Sequence, residues 1–193
     1  LDVKNKIFRD GNPEDYITKS TKIAYEPINE KDQEQIEIMK EINTFMEQLF
    51  PIKELNNYMW DHLASCLIGA KKEQVFNIYC GSGSNGKSIL TDLMSQTLGE
   101  YKGTVPITLV TDKRGSIGGT SDEVLKLKGK RYAVMQEPSK GVKLNEGIMK
   151  ELTGGDPIQA RGLYSESEIF QPQFNLIICP IGHQLPELQD SSD

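Results

Sequence analysis

Cysteine and histidine are scarce in this chain of 193 residues, which holds three of the first and two of the second. Cys66, Cys80 and Cys179 lie far apart, with no CxxC pair and no Cys/His cluster, so neither a disulfide framework nor a zinc site is indicated. A reducing compartment is the simplest setting for such thiols. No apolar run reaches the roughly 18 residues that cross a bilayer. No signal peptide is visible, so the reading is of a protein that is not secreted. Positive charge is not in excess either: 22 bases against 28 acids leave a net −6. That balance does not exclude nucleic acid, because positive charge can be confined to one surface. Internal repeats and low-complexity stretches are missing as well. With 37% hydrophobic and 26% charged residues, a mainly disordered chain is excluded. A globule of this size buries about 70% of its unfolded surface, enough for a core without covalent staples. The first residue is Leu and the last, Asp193, ends an acidic tail, so a piece of a longer gene product is expected.

Residues 1–30 hold Gly11-Asn12-Pro13 and Pro27 with little periodicity; they read as an irregular lead-in. From Lys31 the pattern changes. Ile38, Ile42, Phe45 and Leu49, with Met39 and Met46 beside them, form one apolar helix face. Pro51 stops it. Leu55, Met59, Leu63, Cys66 and Leu67 give a second helix ending near Gly69. Residues 31–70 therefore read as a helical hairpin subdomain packed on the next unit, with a partner-binding helix as the alternative. His62 falls near the apolar face and reads as packing. From residue 71 the pattern alternates: strand at 75–80, glycine-rich turn, helix through Ile89, Leu90, Leu93, Met94 and Leu98 closed by Gly99. Strands follow at 105–110, 132–135 and 174–179, with a loop at 111–121 and a helix at 144–152. Such alternation predicts an α/β fold, a mainly parallel sheet with helices on both faces. Charge is uneven. Residues 102–131 carry seven bases against three acids, and residues 151–193 one base against seven acids. The basic stretch is either a solvated loop or a phosphate-facing surface.

Gly81-Ser82-Gly83-Ser84-Asn85-Gly86-Lys87-Ser88 fits G-x-x-x-x-G-K-[ST], the phosphate-binding P-loop. Glycine permits positive φ, so successive N–H groups can turn toward an anion. Lys87 would put a positive charge on the β- and γ-phosphates, and the Ser88 hydroxyl would ligate Mg²⁺. The following helix offers its positive dipole end. The bland alternative is a Gly/Ser-rich turn capping a helix; the strand before and the capped helix after favour the P-loop. An acid at the end of a neighbouring strand is also needed. In Val134-Met135-Gln136-Glu137, Glu137 could polarise the attacking water and accept its proton. Gln136 stands where many P-loop enzymes hold Mg²⁺ with Asp. A surface Glu before Pro138 is the alternative.

The run Lys130-Arg131-Tyr132-Ala133-Val134-Met135-Gln136-Glu137-Pro138 resembles the Walker B region of superfamily 3 helicases. So do Leu144-Asn145-Glu146-Gly147-Ile148-Met149-Lys150-Glu151-Leu152-Thr153-Gly154-Gly155-Asp156 and the following Gln159-Ala160-Arg161-Gly162-Leu163-Tyr164. The chain is most similar to the primase-helicases of poxviruses and other nucleo-cytoplasmic large DNA viruses, from about residue 40 to its end; the loop Thr111-Asp112-Lys113-Arg114-Gly115-Ser116 fits that group too. The resemblance implies an AAA+-like P-loop ATPase core over residues 71–193, with a β-hairpin insertion and the helical pair as a collar-like segment. It implies ATP and Mg²⁺ as cofactors, single-stranded DNA as partner, a hexameric ring and a possible upstream primase domain. A viral replication site in the host cytoplasm, or the nucleus, would be its location. Lys87 and Ser88 match the Walker A lysine and serine, Glu137 the Walker B glutamate. Arg161 and Tyr164 would sit at the tip of the channel hairpin, Arg161 on phosphate and Tyr164 stacked on a base or packed inside. Ser165, Glu166 and Glu168 stand where relatives commonly carry a base. Relatives also end their fourth strand with a γ-phosphate-sensing Asn; here Cys179-Pro180-Ile181-Gly182-His183-Gln184-Leu185-Pro186 has none. His183 takes that place, and a neutral imidazole can donate the hydrogen bond, although an isolated histidine is more often structural. The arginine finger of the family comes after the point where this chain stops. Such a finger is worth about 10³–10⁵ in rate, so the fragment is expected to bind ATP but turn it over very slowly. Two other classes stay open: another P-loop ATPase or kinase, and a non-catalytic relative that binds DNA or partners.

Overall fold

Asp32 starts the first long helix. Its carboxylate accepts from the N–H groups of Glu34 and Gln35, capping α1 (Gln33–Leu49). Asn56, in α2 (Lys53–Ser65), returns a side-chain hydrogen bond to Met46 O across the turn at Pro51. The structure, a computed structural model, describes residues 2, 5–69, 73–111, 121–136, 143–180, 182 and 185–189. After the helical pair come β1 (Phe76–Ile78), α3 (Lys87–Leu98), β2 (Lys102–Thr104), α4 (Ile107–Thr111), α5 (Asp122–Leu125) and β3 (Tyr132–Gln136). Then follow β4 (Lys143–Asn145), α6 (Glu146–Thr153), β5 (Ile158–Arg161), β6 (Ser167–Phe170), β7 (Asn175–Cys179) and β8 (Glu187–Gln189).

Four parallel strands form the main sheet in the order β1-β7-β3-β2. The strand that arrives last, β7, therefore lies between β1 and β3. Both central strands are apolar almost throughout, as a sheet covered on two faces requires. Alternate residues face opposite layers. Tyr132, Val134, Ile177 and Cys179 join Met46 of α1, Leu63 of α2 and Leu90, Met94 and Leu98 of α3 in one cluster. Ala133, Met135, Leu176 and Ile178 join Val110 of α4, Leu144 of β4 and Met149 and Leu152 of α6 in the other. The α/β expectation is met as three layers, with a separate antiparallel hairpin β5–β6 and a short parallel pair β4–β8.

One expected strand is displaced. Residues 105–110 were to form it, but the strand is Lys102–Thr104 and Ile107–Thr111 is helical. Pro106 is the reason: it has no N–H for the ladder and suits the start of a helix. Val105 N–H makes the last bond to the sheet, 2.9 Å to Val134 O, and Pro106 O accepts from Leu109 N–H at 3.1 Å. Helix α6 starts two residues later than expected, because Asn145 caps it by accepting from Ile148 N–H. The lead-in is tied to the core. Ser20 and Glu100 exchange two hydrogen bonds, and Tyr101 Oη donates to Lys19 O at 2.8 Å. Gly99 (φ 50°) permits this approach: a Cβ there would lie 2.2 Å from Thr21 O.

Candidate functional site

Because β1, β3 and β7 run parallel, their C-terminal ends share one edge, and ligands of open α/β sheets bind outside such edges. Residues 81–86 leave β1 at this edge and turn directly into α3. Ser84 (φ 56°) and Gly86 (φ 83°) give the turn its left-handed corners. The Lys87 ammonium folds back over the loop and donates to Gly81 O at 2.9 Å, Ser82 O at 3.3 Å and Asn85 Oδ1 at 2.9 Å. No side chain caps the N-terminus of α3, where Gly86 is the N-cap. Ser88 is exposed in the first turn. Gly83 has open space about it, whereas a Cβ at Gly81 would fall 1.7 Å from Asn85 Nδ2. Burial pushes the Cys179 thiol at the end of β7 up to about 11, against the pull of the Lys87 ammonium. Gly81 N–H donates to Gly182 O at 3.3 Å, which brings the turn after β7 alongside the loop.

The remaining predicted residues divide. Gln136 ends β3 exposed on the same edge, in register with Cys179. Glu137 and His183 lie outside the described residues, as does the loop expected at 111–121 except for its two ends. Among the described residues no group of three or more His, Cys, Asp and Glu could hold a metal ion, and no helix is long and apolar enough to cross a membrane. A cavity of about 500 Å³ lies beside α6, lined by Asn145, Ile148, Lys150, Glu151 and Asp156 among others.

At the hairpin, Ile158, Ala160 and Phe170 turn inward and Arg161 outward. Tyr164 sits at the tip with φ 57° and is 99% exposed; the reading that packs it inside is corrected, because the tight turn throws its ring into solvent. Arg161 and Ser121 exchange two bonds, Ser121 N–H to Arg161 O and Arg161 N–H to Ser121 Oγ. Lys128 pairs with Glu168 on β6. These clamps are contributions the sequence reading missed, since nothing local marks partners 40 residues apart. It also missed what α1 does for the loop: a Cβ at Gly86 would lie 3.2 Å from Leu49 Cδ1 and 3.4 Å from Phe45 Cε2. His62 packs as expected, buried with Nε2 2.9 Å from Tyr79 Oη, and burial lowers its pKa.

The fold and the loop define a P-loop α/β protein with a hairpin inserted between two strands of its sheet. No protein-family model matches the chain. It is 39% identical, over its full length, to a candidate helicase, L207/L206, of Acanthamoeba polyphaga mimivirus, covering 20% of that protein. Identity is 29% over the full length to the candidate helicase 121R of Invertebrate iridescent virus 3, again 20% of the relative. It is 27% over 80% of the chain to a candidate primase, C962R, of African swine fever virus, 16% of the relative. Among solved structures the apo C-terminal region of NrS-1 shares the fold, with TM-score 0.56 at 14% identity over 79% of this chain and 34% of that one. The chain is thus similar to proteins named as helicases or primases of large DNA viruses, and it spans about a fifth of the length of the curated relatives it matches.

Proposed function

We propose that the chain is the ATP-binding core of a viral DNA helicase, in which ATP hydrolysis drives movement along single-stranded DNA. The observation that carries the reading is the closure of Lys87 over the carbonyls of a loop with left-handed corners at an uncapped helix N-terminus. The donor set fits a triphosphate: the Lys87 ammonium would lie 3.4 Å from a Cβ at residue 81, the Ser88 side chain is exposed in the next turn, and the start of α3 carries no side-chain cap among the described residues. Lys87 exchanges its loop oxygens for β- and γ-phosphate oxygens. Ser88 is the residue to hold Mg²⁺, which when bound neutralises charge on the phosphates. Glu137 accepts the proton of the attacking water and Gln136 orients the polar groups beside it. Arg161 meets a DNA phosphate and Tyr164 stacks on a base. An upstream primase unit belongs to the same proposal and is supported by the relatives named as primases; the hexameric ring is proposed with it, from the resemblance to superfamily 3 helicases.

Titration of the chain with a fluorescent ATP analogue and Mg²⁺, beside Lys87→Ala, tests it. Charged hydrogen bonds are worth about 1.5–3 kcal/mol, so the variant is expected to bind roughly 10- to 150-fold more weakly. Equal binding in both proteins would overturn the reading.

A further inference from the structure

The opposite edge of the sheet, where β2 and β3 begin, gathers three lysines from three separate segments. Lys102 opens β2, in register with Tyr132, and Lys130 stands two residues before β3. Lys19 comes from the lead-in, its carbonyl held by Tyr101 Oη. Its stem crosses Gly129 (φ 69°), where a Cβ would lie 2.9 Å from Lys19 Cε and 3.9 Å from Nζ. The Lys130 stem runs over Gly103, whose Cβ would meet Lys130 Cγ at 3.2 Å, and its ammonium donates to Glu100 O at 2.7 Å. Lys102 Nζ donates to Thr104 Oγ1 at 3.0 Å. Two glycines thus let two lysine stems lie flat against the backbone.

None of the three forms a salt bridge among the described residues, although each is half-buried. Their neighbours behave otherwise. Lys126 pairs with Asp122 and Glu123, Lys128 with Glu168, and Lys22 with Glu100. Glu100, a carboxylate that acts electrostatically on Lys130, also accepts from Ser20 N–H and pairs with Lys22. The cluster is self-repelling: burial and then the charges of Lys19 and Lys102 hold the Lys130 pKa below its usual value, with Glu100 opposing. A fold that pairs the adjacent lysines and gives these three no salt bridge among the described residues, with Glu100 as a shared partial counter-charge, concentrates charge that an outside anion can relieve.

We propose that Lys19, Lys102 and Lys130 form a phosphate-binding track for a nucleic-acid strand, on the sheet edge opposite the P-loop. The arrangement suits a polyanion: the lysines come from three separate segments at one edge of the sheet, and a nucleic-acid strand presents phosphates in series. Lys128, two residues from Lys130, pairs with Glu168 on β6, which ties the hairpin to the segment that carries one of the lysines. The partner class is that of the proposed function, but the site, its residues and its place are separate from the P-loop and the hairpin tip.

The test is binding of a labelled single-stranded oligonucleotide over a salt series. Each phosphate contact on a single strand contributes about 0.7 to the slope of log K against log salt. The double variant Lys19→Gln/Lys102→Gln is expected to lose about 1.4 from that slope and to bind several-fold more weakly whatever the sequence. Lys130 is left in place because its ammonium also donates to Glu100 O, a bond that holds the turn before β2. Tyr164→Ala should weaken binding and leave the slope unchanged. An unchanged slope in a double variant that melts like the parent would overturn the track, as would failure of the parent chain to bind the oligonucleotide at the lowest salt. Nucleotide titration of the double variant should match the parent, so failure at Lys87 and failure at the lysine track are read separately.

Discussion

A single methyl group at residue 81 is enough to spoil the nucleotide loop. It would lie 1.7 Å from Asn85 Nδ2 and 3.4 Å from Lys87 Nζ, so Gly81→Ala drives Asn85 out and unseats the lysine. We expect nucleotide affinity to fall by at least about tenfold, the loss of one charged hydrogen bond, with the far-UV circular dichroism unchanged. At His62 the effect is on stability. Burial lowers its folded pKa from 6.5, so the unfolded chain takes up the proton first. Its contribution is intact above pH 6.5 and is lost as the pH falls from there toward the folded value. His62→Gln should therefore show a smaller drop in Tm than the parent between pH 7.5 and 5.5, as measured by thermal melts. The loop was legible in the sequence because its chemistry is contiguous; the His62–Tyr79 contact was not, because it joins α2 to the residue after β1.

Helices α1 and α2 are bound into the sheet's own core rather than set beside it. Met46 of α1 is completely buried among residues of α2, α3, β3 and β7. Met46→Ala should cost about 2–5 kcal/mol in denaturant unfolding, as a single transition. The hairpin is the opposite case. Tyr164 is 99% exposed, so Tyr164→Ala should leave Tm within about 2 °C, the consequence of a surface change within roughly 0.5 kcal/mol. Periodicity made α1, α2 and α3 readable, since an amphipathic face is a local pattern. It placed a strand at 105–110 because Val105, Ile107, Leu109 and Val110 are apolar; one missing N–H at Pro106 reverses that. The β4–β8 pair joins Leu144 to Leu188 across 44 positions, and three-residue strands leave no periodic trace.

Across the molecule, the two proposals put nucleotide and nucleic-acid phosphates at opposite edges of one sheet. Saturating nucleotide at about 100 times its Kd adds roughly 2.7 kcal/mol to the folded state, or about 5–10 °C in Tm for a chain of this size. Lys87→Ala should abolish that shift in a thermal scan. The order β1-β7-β3-β2 could not be read from the sequence, because strand alternation fixes the parallel class but not which strand is inserted between which. Placement of the lead-in was equally hidden: Ser20 and Glu100 are 80 positions apart, and residues 1–30 carry no periodicity to announce it.

The two inner strands are five residues each, about 16 Å of nearly inextensible backbone. They are hydrogen-bonded to neighbours along their length and sealed by helices on both faces. A displacement at one rim therefore reaches the other as a tilt of a stiff plate, with the strands neither lengthening nor sliding in register. The slowest amide protons to exchange with deuterium should be those of residues 133–135 and 176–178, and they should stay slowest with either ligand bound.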